Sequence, residues 1–453
     1  MMTLSQAARL ANGRLAGADG EVSRVITDSR LAQPGDLFVA LKGERFDAHD
    51  FVAEVVAKGA AALVRDGFEL AGASLIQAGD DTRLALGRLA AGWRETQPAV
   101  RIGITGSNGK TTVKEMLAAI LRAHAGADAV LATAGNFNND IGLPLTLLQL
   151  KPQHRYAVIE MGMNHHGELS YLTGLTRPQV ALVNNAMRAH FGHFGSTAEV
   201  ARAKAEIFEG LSGDGVAVVN ADDANLALFC AAAASHRQLS FGLEQADVSV
   251  SDLALSALGS RFTLLSPAGE IEVSLPTPGE HNVRNALAAA AVALALDVPL
   301  AAIAAGLAAF AGAKGRLQIK QSPRGLTVID DSYNANPDSM KAGIDVLAGL
   351  PAPRCFVMGD IGELGEGAPA LHAEVGEHAR ARGIEQFFAL GEVSRRAATA
   401  FGAAGQGFDS IDELLECLDS RLASGTAVLV KGSRFMRMER VVEHLMQAKK
   451  EGV

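Results

Sequence analysis

Residues 103–112 read Gly-Ile-Thr-Gly-Ser-Asn-Gly-Lys-Thr-Thr, after a stretch with strand pattern and before one with helix pattern. Those residue types at that spacing make a phosphate cradle. Gly106, Ser107, Asn108 and Gly109 can turn backbone N–H groups toward phosphate oxygens, and the helix that follows adds the partial positive charge of its N-terminus. Lys110 can reach the β- and γ-phosphates, the Thr111 hydroxyl can ligate Mg²⁺, and Thr112 belongs to the same ATP-binding set. The general form of this loop has glycine where Ile104 stands, so the chain carries a variant in which Gly106 precedes Gly109 by three residues. A glycine-rich turn without a ligand is the alternative, and the strand–loop–helix context argues against it. The loop specifies a nucleotide but not a reaction.

Other chemistry-bearing residues cluster after further apolar runs. Glu160 ends Val158-Ile159-Glu160-Met161-Gly162. A carboxylate at the C-terminal end of a parallel strand sits at the usual ligand crevice, where it holds a second Mg²⁺ or caps the next helix. His190 lies in the loop Asn184 to Gly195, and His165, His166 and His193 suit the same role by type. Lys204 sits in Ala201 to Phe208, where a helical lysine is ordinarily a solvated charge. Thr133 opens Thr133 to Pro144, which holds Asn136, Asn138 and Asn139. Uncharged amides around glycine suit a sugar or phosphate, or a turn network of their own.

These residues need elements to position them. At 453 residues the chain is too long for one ordinary core. Strand-like and helical runs alternate, which implies parallel sheets covered by helices. The expected fold class is α/β in three domains: a small α/β N-terminal domain (1–97), a central P-loop parallel-sheet domain (98–313) and a C-terminal Rossmann-like domain (314–453). Strands are expected at Val100 to Thr105, Tyr156 to Met161, Gln179 to Asn184 and Gly215 to Asn220, and a helix over Thr197 to Leu211. A small antiparallel patch is expected over Val248 to Leu275, then an alanine-rich helix from about His281. In the last domain, helices are expected to begin near Pro337, Pro369, Val393, Ile411 and Phe435.

Aromatic content of 5% with abundant alanine points to helices packed through small side chains. A net charge of −9 argues against a nucleic-acid partner, which favours basic surfaces. Cys230, Cys355 and Cys417 form no metal or disulfide spacing, which suits a reducing cytosol. Met1 to Gly13 lacks the pattern of a secretory signal, and Ala286 to Leu296 is too short to span a bilayer. A cytoplasmic, monomeric protein without stable membrane insertion is expected.

The motifs in their order resemble the Mur ligase family, ATP-dependent peptide-adding enzymes of bacterial cell-wall precursor synthesis. The resemblance covers essentially the whole chain. Beyond the P-loop it rests on Thr27 to Arg30, Phe38 to Phe51, Gly135 to Pro144, Ala203 to Phe208 and His281 to Asn285. Toward the C-terminus it rests on Asp330 to Pro337, Gly359 to Gly365 and Val430 to Arg434.

The resemblance implies an ATP-dependent ligase that joins D-alanyl-D-alanine to UDP-N-acetylmuramoyl-tripeptide through an acyl phosphate, with two Mg²⁺ ions. It implies that Lys204 carries a CO₂-derived carbamate, with Glu160 and His190 beside the second metal. It places His281 and Asn282 near adenine, Arg316 and Asp331 at the ATP phosphates and ribose, and Ser29, Lys42, Gly43, Asp47 and His49 at the UDP end. It also implies that the domains close on binding. Two further readings are a sister ligase that adds the third amino acid and a P-loop ATPase switch with no covalent product. The Asp-Asn-Pro-Arg box of the diaminopimelate-adding sister is absent. A folylpolyglutamate-type ligase would lack the N-terminal hundred residues.

Overall fold

The computed structural model describes residues 1–79, 81–188 and 194–448. His190 and His193 therefore lie outside the described residues.

The first unit is built on a five-stranded sheet, with a two-stranded antiparallel pair, β1 (Met2–Thr3) and β3 (Glu21–Val22), beside it. Its strands are β2 (Arg14–Ala16), β4 (Arg24–Ile26), β5 (Asp36–Val39), β6 (Ala61–Val64) and β7 (Leu75–Gln77), ordered β2-β7-β6-β5-β4. The helix Thr82–Glu95 leads out of it. Asp81 caps that helix by accepting from the Arg83 and Leu84 N–H groups, which fixes where the chain turns toward the second unit.

The second unit centres on β8 (Val100–Thr105), β9 (Val130–Ala132), β10 (Tyr156–Glu160), β11 (Val180–Val183), β12 (Val216–Asn220) and β13 (Arg237–Phe241). They form one parallel sheet ordered β13-β12-β11-β8-β10-β9. Runs such as Val-Ala-Leu-Val are buried along their whole length because helices cover both faces. The register sets Ile104 opposite Glu160 and Thr105 opposite Val183. The P-loop, Glu160 and the loop after Val183 thus leave the same end of the sheet.

Alanine content does what the composition suggests. The helix Glu280–Ala295 is buried along most of its length and packs in one cluster with the helix Lys110–Ala125. Leu300–Ala308 approaches still closer: a Cβ on Gly306 would lie 2.3 Å from the Ile120 Cα. The antiparallel patch is a three-stranded sheet of β14 (Ser249–Ser256), β15 (Gly259–Ser266) and β16 (Gly269–Leu275).

The third unit has β17 (Gln318–Gln321), β18 (Thr327–Asp331), β19 (Arg354–Gly359), β20 (Gln386–Leu390), β21 (Gly405–Phe408) and β22 (Ala427–Lys431). Their order is β17-β18-β22-β19-β20-β21, with only β17 antiparallel.

Two element expectations shift. The helix expected over Thr197 to Leu211 stops at Ala205 and tightens into a 3₁₀ turn over Glu206–Gly210. The helix expected near Phe435 begins at Glu439, because Arg437 takes a left-handed conformation at φ 52°.

How the units are joined differs. One hydrophobic cluster runs from Leu4, Val39 and Leu86 into Leu143, Ile159 and Phe208, so the first two units share a core. The third has its own clusters, around Phe356 and Leu429 on one face of its sheet and Val357 and Val428 on the other. Ala257, between β14 and β15, packs against the first of these.

Candidate active site

Gly109 is left-handed at φ 78°, and a Cβ there would lie 2.3 Å from the Asn285 Oδ1. The position requires glycine on both counts. An asparagine network braces the loop. Asn108 N–H donates to Asn185 Oδ1 (2.8 Å), and the Asn108 carbonyl accepts from Asn184 Nδ2 (2.9 Å). Asn184 Nδ2 also donates to Asn285 Oδ1 at 3.0 Å. Lys110 Nζ folds over the loop and donates to the Gly106 carbonyl at 2.6 Å. Burial and the nearby Arg316 guanidinium hold its ammonium below the ordinary lysine range, and Glu160 opposes them.

Glu160 is 2% exposed. Its Oε2 accepts from the Thr111 hydroxyl and its Oε1 from Asn138 Nδ2, both at 2.9 Å, and its N–H donates to Thr133 Oγ1 at 3.0 Å. Thr133 is thus buried behind Glu160, whereas Asn136, Asn138 and Asn139 line a cavity of about 740 Å³ in front of it. Lys204 is 1% exposed, and no side-chain partner is recorded for its amine among the described residues. Burial, reinforced by the Lys110 charge, pushes its ammonium well below the ordinary range.

Hard oxygen donors with an open side suit Mg²⁺, which prefers one or two carboxylates plus phosphate and water to a closed protein cage. No group of three His, Cys, Asp or Glu side chains forms a cage among the described residues.

On the other side of the P-loop lies a cavity of about 400 Å³, lined by His281, Asn282, Arg316, Asp331 and Lys431. Lys431 Nζ meets Asp331 Oδ2 at 2.5 Å and donates to the Asn334 carbonyl at 3.0 Å. Burial raises the Asp331 carboxyl and lowers the Lys431 ammonium, each opposed by the other's charge.

His281 is pulled down to about 4 by burial, with Lys431 and Arg284 adding to it. It is neutral at pH 7, so one ring nitrogen can accept a hydrogen bond from a group in this cavity. Between about pH 6.5 and 4 the unfolded chain binds a proton that the folded site refuses, so stability falls as pH drops through that window, by at most about 3 kcal/mol from this group. A His281→Gln variant is expected to lose that part of the slope in urea unfolding between roughly pH 7 and 4.5. An unchanged slope would contradict the assignment.

Of the residues expected at the UDP end, Lys42, Gly43 and His49 line a cavity of about 700 Å³ with Arg65 and Arg83, whereas Ser29 and Asp47 do not. His49 accepts from the Arg65 N–H at 3.0 Å through Nε2, so its Nδ1 donates to Asp47 at 2.6 Å. That pair stiffens the loop. Asp81 and Arg83 line both this cavity and the 740 Å³ one, so the two are neighbours.

The three units match three family models in sequence: Mur ligase family, catalytic domain over residues 21–94; Mur ligase middle domain over 104–293; and Mur ligase, glutamate ligase domain over 315–434. The chain belongs to the Mur ligase family. It is 46% identical over 451 residues to UDP-N-acetylmuramoyl-tripeptide--D-alanyl-D-alanine ligase of Escherichia coli, covering 98% of each chain. The Bacillus subtilis enzyme of that name is 34% identical, again with 98% of each covered. A crystal structure of MurF from Acinetobacter baumannii superposes with a TM-score of 0.91 at 40% identity over 98% of each chain. That of Thermotoga maritima MurF in complex with ADP gives 0.81 at 27% identity, over 93% of this chain and 97% of that one.

Within this Mur ligase, a clamp across the cleft carries no signal in the sequence. Arg188 pairs with Asp338 at 2.5 Å and with Glu374 at 3.1 Å, and Asn336 Nδ2 donates to Asn108 Oδ1 at 2.6 Å. These polar contacts bridge the P-loop side to the third unit. An Arg188→Ala variant is expected to open the cleft, raising the radius of gyration in solution scattering without ligand and the KM for ATP about tenfold. Identical scattering profiles would contradict that role. Lys431 was also unassigned. Its signal is the one that flagged Glu160: a charged residue ending a buried apolar strand.

Proposed function

We propose that this chain joins D-alanyl-D-alanine to UDP-N-acetylmuramoyl-tripeptide at the cost of ATP, with residues 98–313 holding the nucleotide phosphates, 1–97 the UDP end and 314–453 closing over both. The observation that carries the reading is the placement of Lys110. It lines the 740 Å³ cavity of Glu160 and Asn138, beside the P-loop that also borders the nucleoside cavity.

A carboxylate resists amine attack because oxide is a poor leaving group. The γ-phosphoryl group moves to the terminal carboxylate of the tripeptide, giving an acyl phosphate. The dipeptide amine then attacks the carbonyl carbon, the tetrahedral intermediate collapses, and phosphate leaves with the original carboxylate oxygen. Lys110 and Arg316 stand where negative charge crowds during transfer, and they stabilise it electrostatically. Thr111 and Glu160 would hold one Mg²⁺ each, with His190 and Lys204 completing the second site. Bound there, the metal supplies neutralisation of the phosphate oxygens. The low proton affinity of Lys204 supports carbamylation: the neutral amine is the form that adds to CO₂, releasing a proton and leaving an anion where an ammonium would repel a cation. Asn138 orients Glu160, and the His281–Asn282 turn faces the base.

The test is product mass spectrometry with UDP-N-acetylmuramoyl-tripeptide, D-alanyl-D-alanine and MgATP. Pentapeptide and ADP should form together, with phosphate released only when both acyl and amine substrates are present. Phosphate released at the full rate without the dipeptide would favour an ATPase switch instead.

A further inference from the structure

Lys114 is 1% exposed, and no step above uses its ammonium. It is not among the residues lining the three cavities around the P-loop, so it meets neither nucleotide nor peptide. Its partners are the Thr133 carbonyl, which accepts from Nζ at 2.6 Å, and Glu115 Oε1 at 2.9 Å. Taking an ammonium out of water is costly unless it is paired and hydrogen-bonded, so its presence here needs a reason. We propose that Lys114 is a positioning residue for Glu160 and acts through Thr133. This rests on the reading above in which Glu160 faces a metal ion.

Thr133 is where the chain leaves β9. That strand has three residues and lies at the edge of its sheet, so only β10 flanks it. Its paired register ends with Ala132 opposite Val158. Thr133 carries the pairing one step further. Its N–H donates to the Val158 carbonyl at 3.0 Å, and its Oγ1 accepts from the Glu160 N–H at 3.0 Å. The hydroxyl thus takes the backbone donor that β9 no longer reaches. Five residues on, Asn138 donates from Nδ2 to Glu160 Oε1 at 2.9 Å, and its carbonyl accepts from the Gly162 N–H at 2.8 Å. Thr133 therefore fixes both the backbone of Glu160 and the root of the loop that holds its carboxylate.

The helix Lys110–Ala125 supplies the other side of this arrangement. Lys114 follows Thr111 by three residues and Lys110 by four, so the three share a helix face. Thr111 donates its hydroxyl to Glu160 Oε2 at 2.9 Å, and one turn later Lys114 holds the Thr133 carbonyl. One rigid helix thereby ties the carboxylate, and the strand end behind it, to the phosphate loop. An apolar side chain of similar length would fill the space at Lys114 and release the carbonyl. The backbone support of Glu160 would loosen while Lys110 and Thr111 stayed in place. Removing a group that orients a metal-binding side chain weakens metal binding by about tenfold or more.

The test measures Mn²⁺ affinity by electron paramagnetic resonance, with the enzyme in excess over AMP-PNP, alongside steady-state kinetics. The chains compared are the unsubstituted enzyme, Lys114→Met, Glu160→Gln and the double variant. Lys114→Met should weaken Mn²⁺ binding about tenfold and raise the Mg²⁺ concentration for half-maximal rate about tenfold. The KM values for the UDP precursor and D-alanyl-D-alanine should stay within about twofold, because neither touches Lys114. In the Glu160→Gln background the same substitution should add no further loss, since the group it positions is gone. A lysine that only holds the helix against β9 would cost as much in both backgrounds. That result would overturn the assignment, as would Mn²⁺ affinity in Lys114→Met within about twofold of the unsubstituted chain. If Lys114→Met does not fold, Thr133→Val decides: it keeps the carbonyl, loses the hydroxyl and should weaken Mn²⁺ binding about tenfold, and an unchanged affinity would overturn the route through Thr133. A Glu160→Gln enzyme that binds Mn²⁺ as tightly as the unsubstituted one would instead overturn the metal reading of Glu160 itself.

Discussion

A Lys110→Met enzyme keeps its fold and loses kcat by about a thousandfold. The lysine sits at the start of a helix whose core face is formed by Val113, Met116, Leu117 and Ile120, so removing its charge leaves the packing intact. Its ammonium rests on the Gly106 carbonyl, an interaction it can exchange for a phosphate oxygen. Burial and Arg316 already lower its proton affinity, and the negative charge of a nucleotide would restore it. The loss is therefore expected in kcat more than in ADP affinity, because the charge matters most when the phosphoryl group is in transit. Stopped-flow phosphate release with matched ADP titrations checks this. A kcat within tenfold of the unsubstituted enzyme would contradict it.

The second large effect is at Lys204. Lys204→Ala should lose activity about a thousandfold, with formate or acetate restoring part of it by occupying the space of the missing carboxylate. Stability should move the other way or not at all. A buried amine without a recorded partner is costly, so the isosteric Lys204→Met should melt at the same temperature or higher while remaining inactive. Full activity in untreated Lys204→Ala would contradict the role. A melting temperature well below that of the unsubstituted chain in Lys204→Met would show that the amine serves the fold.

The two residues differ in how far the sequence reveals them. Lys110 is legible because its neighbours are constrained: glycine, strand and helix must all be present for the loop to exist. Lys204 reads as a solvated helical charge, and its importance came only from the family resemblance. Its burial depends on the helix Thr197–Ala205 packing Val200, Ala201 and Ala203 into the core shared by the first two units, a long-range event that local pattern does not encode.

The same division holds for the fold. The parallel sheets were legible from runs such as Val216–Asn220, because strands buried on both faces read as unbroken apolar segments. The edge strands β17 and β21 were not, since Gln-Ile-Lys-Gln and Gly-Gln-Gly-Phe carry no such run. The Arg188 clamp joins residues 150 and 186 positions apart, and nothing in the spacing of Arg188, Asp338 and Glu374 announces it.

The tripeptide carboxylate is expected to be phosphorylated before the amide forms. The most direct measurement labels both oxygens of that carboxylate with ¹⁸O and follows the label by mass spectrometry after one turnover with MgATP and D-alanyl-D-alanine. One ¹⁸O is expected in each released phosphate and the other in the new amide carbonyl. Unlabelled phosphate alongside pentapeptide would mean that the carboxylate is never phosphorylated, and the mechanism drawn around Lys110, Glu160 and Lys204 would be wrong.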